Sequence, residues 1–139
     1  MIGQYQHGVD AKGRLFIPAK FREELGKTFY VTRGQDHCLS VFSEENWQRL
    51  TARLSDLPYT EVKKLRRFFS NAAECEPDAQ GRILLPQSLR EYAGLEKDAV
   101  IIGMLNRAEI WSAANWNAED ENEDEVVDFE DALKAFDAF

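Results

Sequence analysis

Apolar positions in this chain change period several times, and the changes come in a recognisable order. Leu15-Phe16-Ile17 is a short continuous apolar run, suited to a buried strand, between the turn-forming Asp10-Ala-Lys-Gly13 and Pro18. Ile17, Phe21 and Leu25 then recur at the i, i+4, i+8 spacing of one helical face. Pro18 is expected in the first helical turn, where its missing N–H costs nothing, and Gly26 at a left-handed C-cap. Phe29-Tyr-Val-Thr-Arg33 and Cys38-Leu-Ser-Val-Phe42 flank Gly34-Gln-Asp-His37 as a β-hairpin. Ser43 is the expected N-cap of a further helix, with Glu44 and Glu45 against its positive end.

The same order returns downstream. Asp10-Ala-Lys-Gly-Arg-Leu-Phe-Ile-Pro-Ala-Lys-Phe-Arg-Glu-Glu-Leu-Gly26 aligns without gaps on Asp78-Ala-Gln-Gly-Arg-Ile-Leu-Leu-Pro-Gln-Ser-Leu-Arg-Glu-Tyr-Ala-Gly94, identical at eight of 17 positions. Leu85, Leu89 and Ala93 repeat the helical stripe, and Pro86 repeats Pro18. Ala99-Val-Ile-Ile-Gly103 and Ala108-Glu-Ile-Trp111 repeat the hairpin, and Ser112 repeats the cap. Phe42-Ser-Glu-Glu-Asn-Trp47 matches Trp111-Ser-Ala-Ala-Asn-Trp116 with one residue inserted between the two blocks. The chain is two copies of one unit.

Between the copies, Trp47, Leu50, Leu54 and Leu57 define one helical face that Pro58 ends. Thr60 is expected to cap a second helix with Val62, Leu65 and Phe69 inward. The organisation read from the pattern is repeat one over 1–47, a helical linker over 48–71, repeat two over 72–117 and an acidic tail over 118–139. A unit of short strands is too small to bury its own sheet. The expected architecture is therefore mixed α/β, mainly β: a pseudo-two-fold barrel shared by both copies and decorated by helices.

Composition excludes several classes. The 139 residues are 44% hydrophobic and 30% charged, a globular balance. The longest apolar run, residues 99–105, is far short of the roughly 20 residues a membrane span needs. Met1-Ile-Gly-Gln-Tyr-Gln-His7 has neither the basic nor the apolar region of a secretory leader, so a cytosolic location is expected. Cys38 and Cys75 form no Cys-x-x-Cys pair and are expected as reduced, partly buried thiols. With His7 and His37 the only histidines, no metal site is expected. No glycine-rich phosphate loop, nucleophile elbow or His-x-x-x-His is present, so neither catalysis nor a cofactor nor a small-molecule substrate is expected.

Net charge is −8, but it is segregated. Residues 119–139 hold ten acids and one base, leaving +1 on the rest. Within that tail Val126, Phe129, Leu133, Phe136 and Phe139 recur at helical spacing. An acidic linker over 119–125 followed by an amphipathic segment packed on the barrel or a neighbour is expected.

The Asp-x-x-Gly-Arg unit, followed by three apolar residues, Pro and a Leu/Phe-Arg pair, resembles the SpoVT/AbrB swapped-hairpin barrel family of DNA-binding proteins. Two copies in a chain of this length, opened by Asp10-Ala-Lys-Gly-Arg14 and Asp78-Ala-Gln-Gly-Arg82, resemble the MraZ family in particular, over residues 1–117. The acidic tail has no counterpart in that pattern. The resemblance implies a nucleoid-associated regulator that assembles into rings and binds short direct repeats in the promoter of a division and cell-wall gene cluster. The alternative it leaves is an AbrB-type antitoxin or scaffold that binds a protein.

Double-stranded DNA is therefore the expected partner, together with further copies of the chain. Arg14 and Arg82 stand beside their turns, where each either reaches a guanine edge or phosphate or only pairs with Asp10 or Asp78. Lys12, a sequence-blind phosphate contact, becomes Gln80 in copy two, so the copies need not bind equally. Lys20 and the linker residues Lys63, Arg66 and Arg67 are further backbone candidates, against the plainer reading of solvated helix faces. Arg22 is, like Lys20, a candidate to extend the footprint, against the plainer reading of a solubilising residue, and Trp47, Trp111 and Trp116 read as core rather than base-stacking platforms.

Overall fold

Gly13 and Gly81, with φ of +84° and +83°, open the two repeats. Asp10 Oδ1 accepts the backbone N–H groups of Lys12 (3.0 Å) and Arg14 (2.8 Å), and Asp78 Oδ1 those of Gln80 and Arg82 (both 2.9 Å). These closed Asx turns launch β2 (Arg14–Phe16) and β6 (Arg82–Leu84). The molecule is seen here as a computed structural model that describes residues 1–120 together with Asp131, Leu133 and Lys134. A Cβ on Gly13 would stand 2.8 Å from the Arg90 side chain, and one on Gly81 the same distance from Arg22. Each turn is thus packed beneath an arginine of the other repeat.

Helices α1 (Ala19–Leu25) and α5 (Gln87–Ala93) follow their strands. Pro18 and Pro86 are extended N-caps, with ψ of 144° and 147°, one residue earlier than expected. The cause is the ribbon. Ile17 donates to Gly81 O and Leu85 to Gly13 O, both at 2.9 Å, so the chain is still paired as strand up to each proline. Gly94 takes the left-handed cap (φ 65°, ψ 28°), and buried Leu95 donates back to Arg90 O at 2.9 Å. Gly26 does not (φ 85°, ψ −169°), because the residue after it is the exposed Lys27, with no apolar contact to close the motif.

The six-stranded sheet contains β1 (Gln4–Gly8), β3 (Phe29–Arg33), β4 (Leu39–Ser43), β5 (Ala73–Cys75), β7 (Asp98–Met104) and β8 (Arg107–Ser112). Its order is β1-β7-β8-β4-β3-β5, while β2 and β6 form a separate two-stranded ribbon, joined to the end of β1 by an isolated antiparallel bridge between Leu15 and Val9. Equating β1 with β5, β7 with β3 and β8 with β4 makes that order a palindrome, as the sequence repeat requires. Leu39 faces Ile110 and Val41 faces Ala108 across the centre of the sheet, and Leu15 faces Ile83 across the centre of the ribbon. Every pairing is antiparallel, and the fold is mixed α/β as expected. The expected barrel closure is not formed by hydrogen bonds: the sheet is open at β1 and β5. Both edge strands escaped the sequence pattern, β1 being mostly polar and β5 only three residues long.

One face of the sheet carries Phe29, Val31, Leu39, Val41, Ile101 and Ile110, packed against Leu15 and Ile83 of the ribbon and against α1 and α5. The other is covered by the linker and by the end of repeat two. Trp47 stacks on Tyr30 (5.0 Å) and Phe68 (5.7 Å) from α2 (Glu44–Ser55), whose cap Ser43 accepts from Asn46 N–H as expected. Trp116, on α6 (Ala113–Asp120), meets Trp111 edge-on at 5.5 Å, and Ser112 caps α6. The tryptophans are packing residues.

The linker departs from expectation. Pro58 caps α3 (Tyr59–Val62), so Thr60 lies inside it, and a 3₁₀ turn (Lys63–Leu65) separates it from α4 (Arg66–Ser70). The tighter turn shifts the side-chain register so that both Phe68 and Phe69 reach Trp47, at 5.7 and 6.0 Å. Leu57 is exposed rather than part of the inward face. Glu119 and Asp120 finish α6 instead of opening a linker. The rest of the expected amphipathic tail lies outside the described residues, except Asp131, Leu133 and Lys134, which are helical.

Candidate nucleic-acid interface

The alternation of β2 and β6 decides what the ribbon shows to solvent. Leu15 and Ile83 point inward and are buried, so Arg14, Phe16, Arg82 and Leu84 share the outer face. Arg14 pairs with Leu84, and Phe16 with Arg82, placing the two arginines diagonally across one small antiparallel ribbon. Phe16 is held edge-on by His7 at 4.8 Å and lies under the Arg22 guanidinium at 5.3 Å, whereas Leu84 is 62% exposed.

Each arginine is aimed by the acid that opens its turn. Arg14 Nε donates to Asp10 Oδ2 at 2.6 Å, and Arg82 Nε to Asp78 Oδ2 at 2.9 Å. Arg82 Nη1 also comes within 3.9 Å of Asp10 Oδ2. The hydrogen bonds to the aspartates engage Nε of each guanidinium, and the terminal nitrogens are the donor pair that matches a guanine edge or a phosphate. The backbone N–H of Arg14 is the chief cause holding the Asp10 carboxyl below its ordinary value; burial pushes the other way, and the arginine side chain adds to the lowering. Asp78 is held down in the same way by Arg82. The salt bridges expected as the plainer role are therefore present.

Lys12 and Gln80 occupy the exposed tips of the two turns, one beside each arginine. Lys20 is exposed in the first turn of α1, on the ribbon side of the sheet. Lys63, Arg66 and Arg67 are not brought to this face. The linker that carries them packs through Phe68 and Phe69 on the opposite side of the six-stranded sheet. Arg66 donates to Tyr59 Oη at 2.6 Å there, and neighbouring Lys64 pairs with Glu61 at 3.2 Å.

Sequence reasoning misjudged Arg22. Its Nε donates to Ile17 O at 2.8 Å, and Arg90 Nε to Leu85 O at 3.0 Å, so each closes the strand-to-helix corner of its repeat. Their identical place in the two repeats was the available signal. The outward position of Leu84 was concealed, because Ile83-Leu84-Leu85 reads as a continuous apolar run.

Among the described residues no helix is long and apolar enough to cross a membrane, and no cluster of His, Cys, Asp or Glu is arranged to hold a metal. Cys38 and Cys75 are free and buried, with burial pushing their thiols up to about 12 and about 11.

Comparison with known proteins gives a consistent result. The family model described as "MraZ protein, putative antitoxin-like" matches residues 1–66 and 68–137. A transcriptional regulator MraZ of Carboxydothermus hydrogenoformans is 50% identical, over 92% of this chain and 97% of that protein. Another, from Acetivibrio thermocellus, is 55% identical over 84% of this chain and 83% of its own length. A third, from Thermoanaerobacter sp., is 49% identical over 99% and 96% respectively.

Proposed function

Because this chain belongs to the MraZ family, we propose that it is a transcriptional regulator that binds double-stranded DNA sequence-specifically through the β2–β6 ribbon. The observation that carries the reading is the outward, diagonal pair Arg14 and Arg82, each anchored at Nε by its own aspartate. A two-stranded ribbon fits the major groove, and two guanidinia so held can each read a base edge. Lys12 adds a phosphate contact that Gln80 cannot match, so copy one grips the backbone more strongly. Lys20 extends the footprint along α1.

The resemblance of the two Asp-x-x-Gly-Arg units extends the proposal. The DNA is a set of short direct repeats upstream of a division and cell-wall gene cluster, and the regulator works at the nucleoid as a ring of identical protomers built on swapped-hairpin barrels. Open sheet edges at β1 and β5, with exposed Ile2, Met104 and Leu105, supply surfaces for such self-association. A ring holds many weak units in register, and multivalency raises avidity by about 10²–10⁴ when the DNA repeats match the spacing. A monomer mass by light scattering at micromolar concentration would remove the ring from the proposal.

The decisive experiment is a titration against DNA from upstream of the protein's own gene at several salt concentrations. Log affinity should fall with log salt by about 0.9 per phosphate contacted. A folded Arg14→Ala/Arg82→Ala double variant should lose the preference for that DNA. Retained preference, or binding indifferent to salt, would overturn the proposal in favour of a module that binds a protein partner.

A further inference from the structure

Three arginines from three separate elements converge on one cleft that the DNA-facing ribbon does not use. Arg33 ends β3, Arg67 lies on α4 and Arg107 begins β8; together they line a cavity of about 540 Å³. Leu50, Leu54 and Leu65 line the same cavity. We propose that this cleft binds a soluble amphipathic anion: a carboxylate or phosphate head carrying an apolar chain.

The case begins with unmet hydrogen-bonding capacity. Nε of Arg33 and Nε of Arg107 are buried and have no hydrogen-bond partner. Buried donors are normally paired, and both of these belong to arginines that line the same cavity, so the two guanidinium groups bordering it keep unused hydrogen-bonding capacity. Among the described residues, Arg33 is held in position without a carboxylate partner, and Arg107 by one loose ion pair. Arg33 lies over the Tyr92 ring at 4.7 Å, and Tyr92 Oη donates to Gly34 O at 2.6 Å, pinning the loop beyond β3. Arg107 Nη2 approaches Glu109 Oε2 only at 3.6 Å, and that carboxyl also accepts from Trp111 Nε1. Among the described residues, the Arg33 and Arg67 side chains have no carboxylate partner.

The other half of the cavity sets the ligand's shape. A binding pocket of this kind is typically about 300–1,000 Å³ and mainly apolar, with a few convergent polar groups. Inorganic phosphate would satisfy the arginines and leave the leucine wall wet; a neutral alkyl chain would do the reverse. Only an anion with an apolar chain uses both. The leucines reach the cleft because α2 and the broken linker helix fold over the sheet, which also brings Arg67 across from α4.

The test is isothermal titration of the full chain with decanoate, decyl phosphate, decanol and inorganic phosphate. Tryptophan fluorescence gives an independent readout, because Trp47 adjoins Phe42 (5.9 Å) and Phe68 (5.7 Å), both of which line the cavity. Decanoate and decyl phosphate should bind at least about tenfold more tightly than decanol or inorganic phosphate, the loss expected when a charge-assisted hydrogen bond or the apolar contact is missing. Arg33→Gln and Arg107→Gln should each weaken binding about tenfold, and the exposed Arg67→Gln serves as a third probe that leaves the buried packing intact. Equal binding of decanol and decanoate, or unchanged affinity in a folded Arg67→Gln/Arg107→Gln variant, would overturn the proposal. So would displacement of the probe at lower concentration by a peptide of residues 121–139, which would make the chain's own acidic tail the occupant.

Discussion

Arg82 Nη1 of the second repeat lies 3.9 Å from Asp10 Oδ2 of the first, while Asp10 already holds Arg14 Nε at 2.6 Å. One carboxylate therefore faces both ribbon arginines, whereas among the described residues Asp78 is paired with Arg82 alone. Asp10→Asn should loosen both guanidinia and weaken specific DNA binding more than Asp78→Asn. Loss of one well-aimed arginine is worth about 1–3 kcal/mol of base discrimination, or roughly five- to 150-fold. Gel-shift titrations of the two asparagine variants against one operator test the asymmetry; equal effects would refute it.

The same aspartates set an acid limit. Both carboxyls are held below their ordinary values, chiefly by the backbone N–H groups of Arg14 and Arg82. A depressed folded-state value means the stabilisation is complete above the unfolded value, about pH 4, and is lost as pH falls through the folded value. The urea midpoint should drop as pH falls below about 4, and the drop should be smaller in Asp10→Asn/Asp78→Asn. An identical acid profile in the double variant would show that other carboxylates govern it.

Gly13→Ala should cost about 1–3 kcal/mol. Its φ of +84° is left-handed territory, worth about 1–2 kcal/mol for an L-residue, and its Cβ would press on Arg90 at 2.8 Å. Arg90 cannot simply swing aside, because its Nε is bonded to Leu85 O. Denaturant unfolding of Gly13→Ala and Gly81→Ala should give similar losses, since Arg22 does the same at Gly81.

Leu15→Ala should destabilise by about 2–5 kcal/mol, as expected for a leucine with no exposed surface. Leu15 sits at the ribbon's centre opposite Ile83, so the cavity would open directly beneath Arg14 and Phe16. DNA affinity should fall along with stability in this variant, whereas exposed Leu84→Ala should leave the unfolding midpoint nearly unchanged.

Cys38 and Cys75 should resist alkylation. With burial raising the thiols to about 12 and about 11, little thiolate exists at pH 8. Mass spectrometry after iodoacetamide treatment should show an unmodified chain in buffer and two modifications in denaturant. Fast labelling of the native protein would show that these sites open.

Local chemistry was enough to read the repeating unit. The Asp10 and Asp78 turns, the helical stripes after Pro18 and Pro86, both hairpins and the caps at Ser43 and Ser112 depend on neighbours within a few residues, so composition and spacing expose them. The pairing of acid and arginine in each turn was legible for the same reason.

Other features depend on partners distant in the chain. Gln4–Gly8 becomes a strand only because β7 offers it a ladder, and Ala73–Cys75 only because β3 does. The prolines shift to N-caps because Gly81 O and Gly13 O keep the ribbon paired up to Ile17 and Leu85. The linker helix breaks where Trp47 demands two phenylalanines at once. Most of all, the diagonal of Arg14 and Arg82 arises when β2 pairs with β6, and the convergence of Arg33, Arg67 and Arg107 when β3, β8 and the linker helix α4 come together. Side-chain direction in a strand is set by which partner it pairs with and in what register, and spacing along one segment carries no record of that.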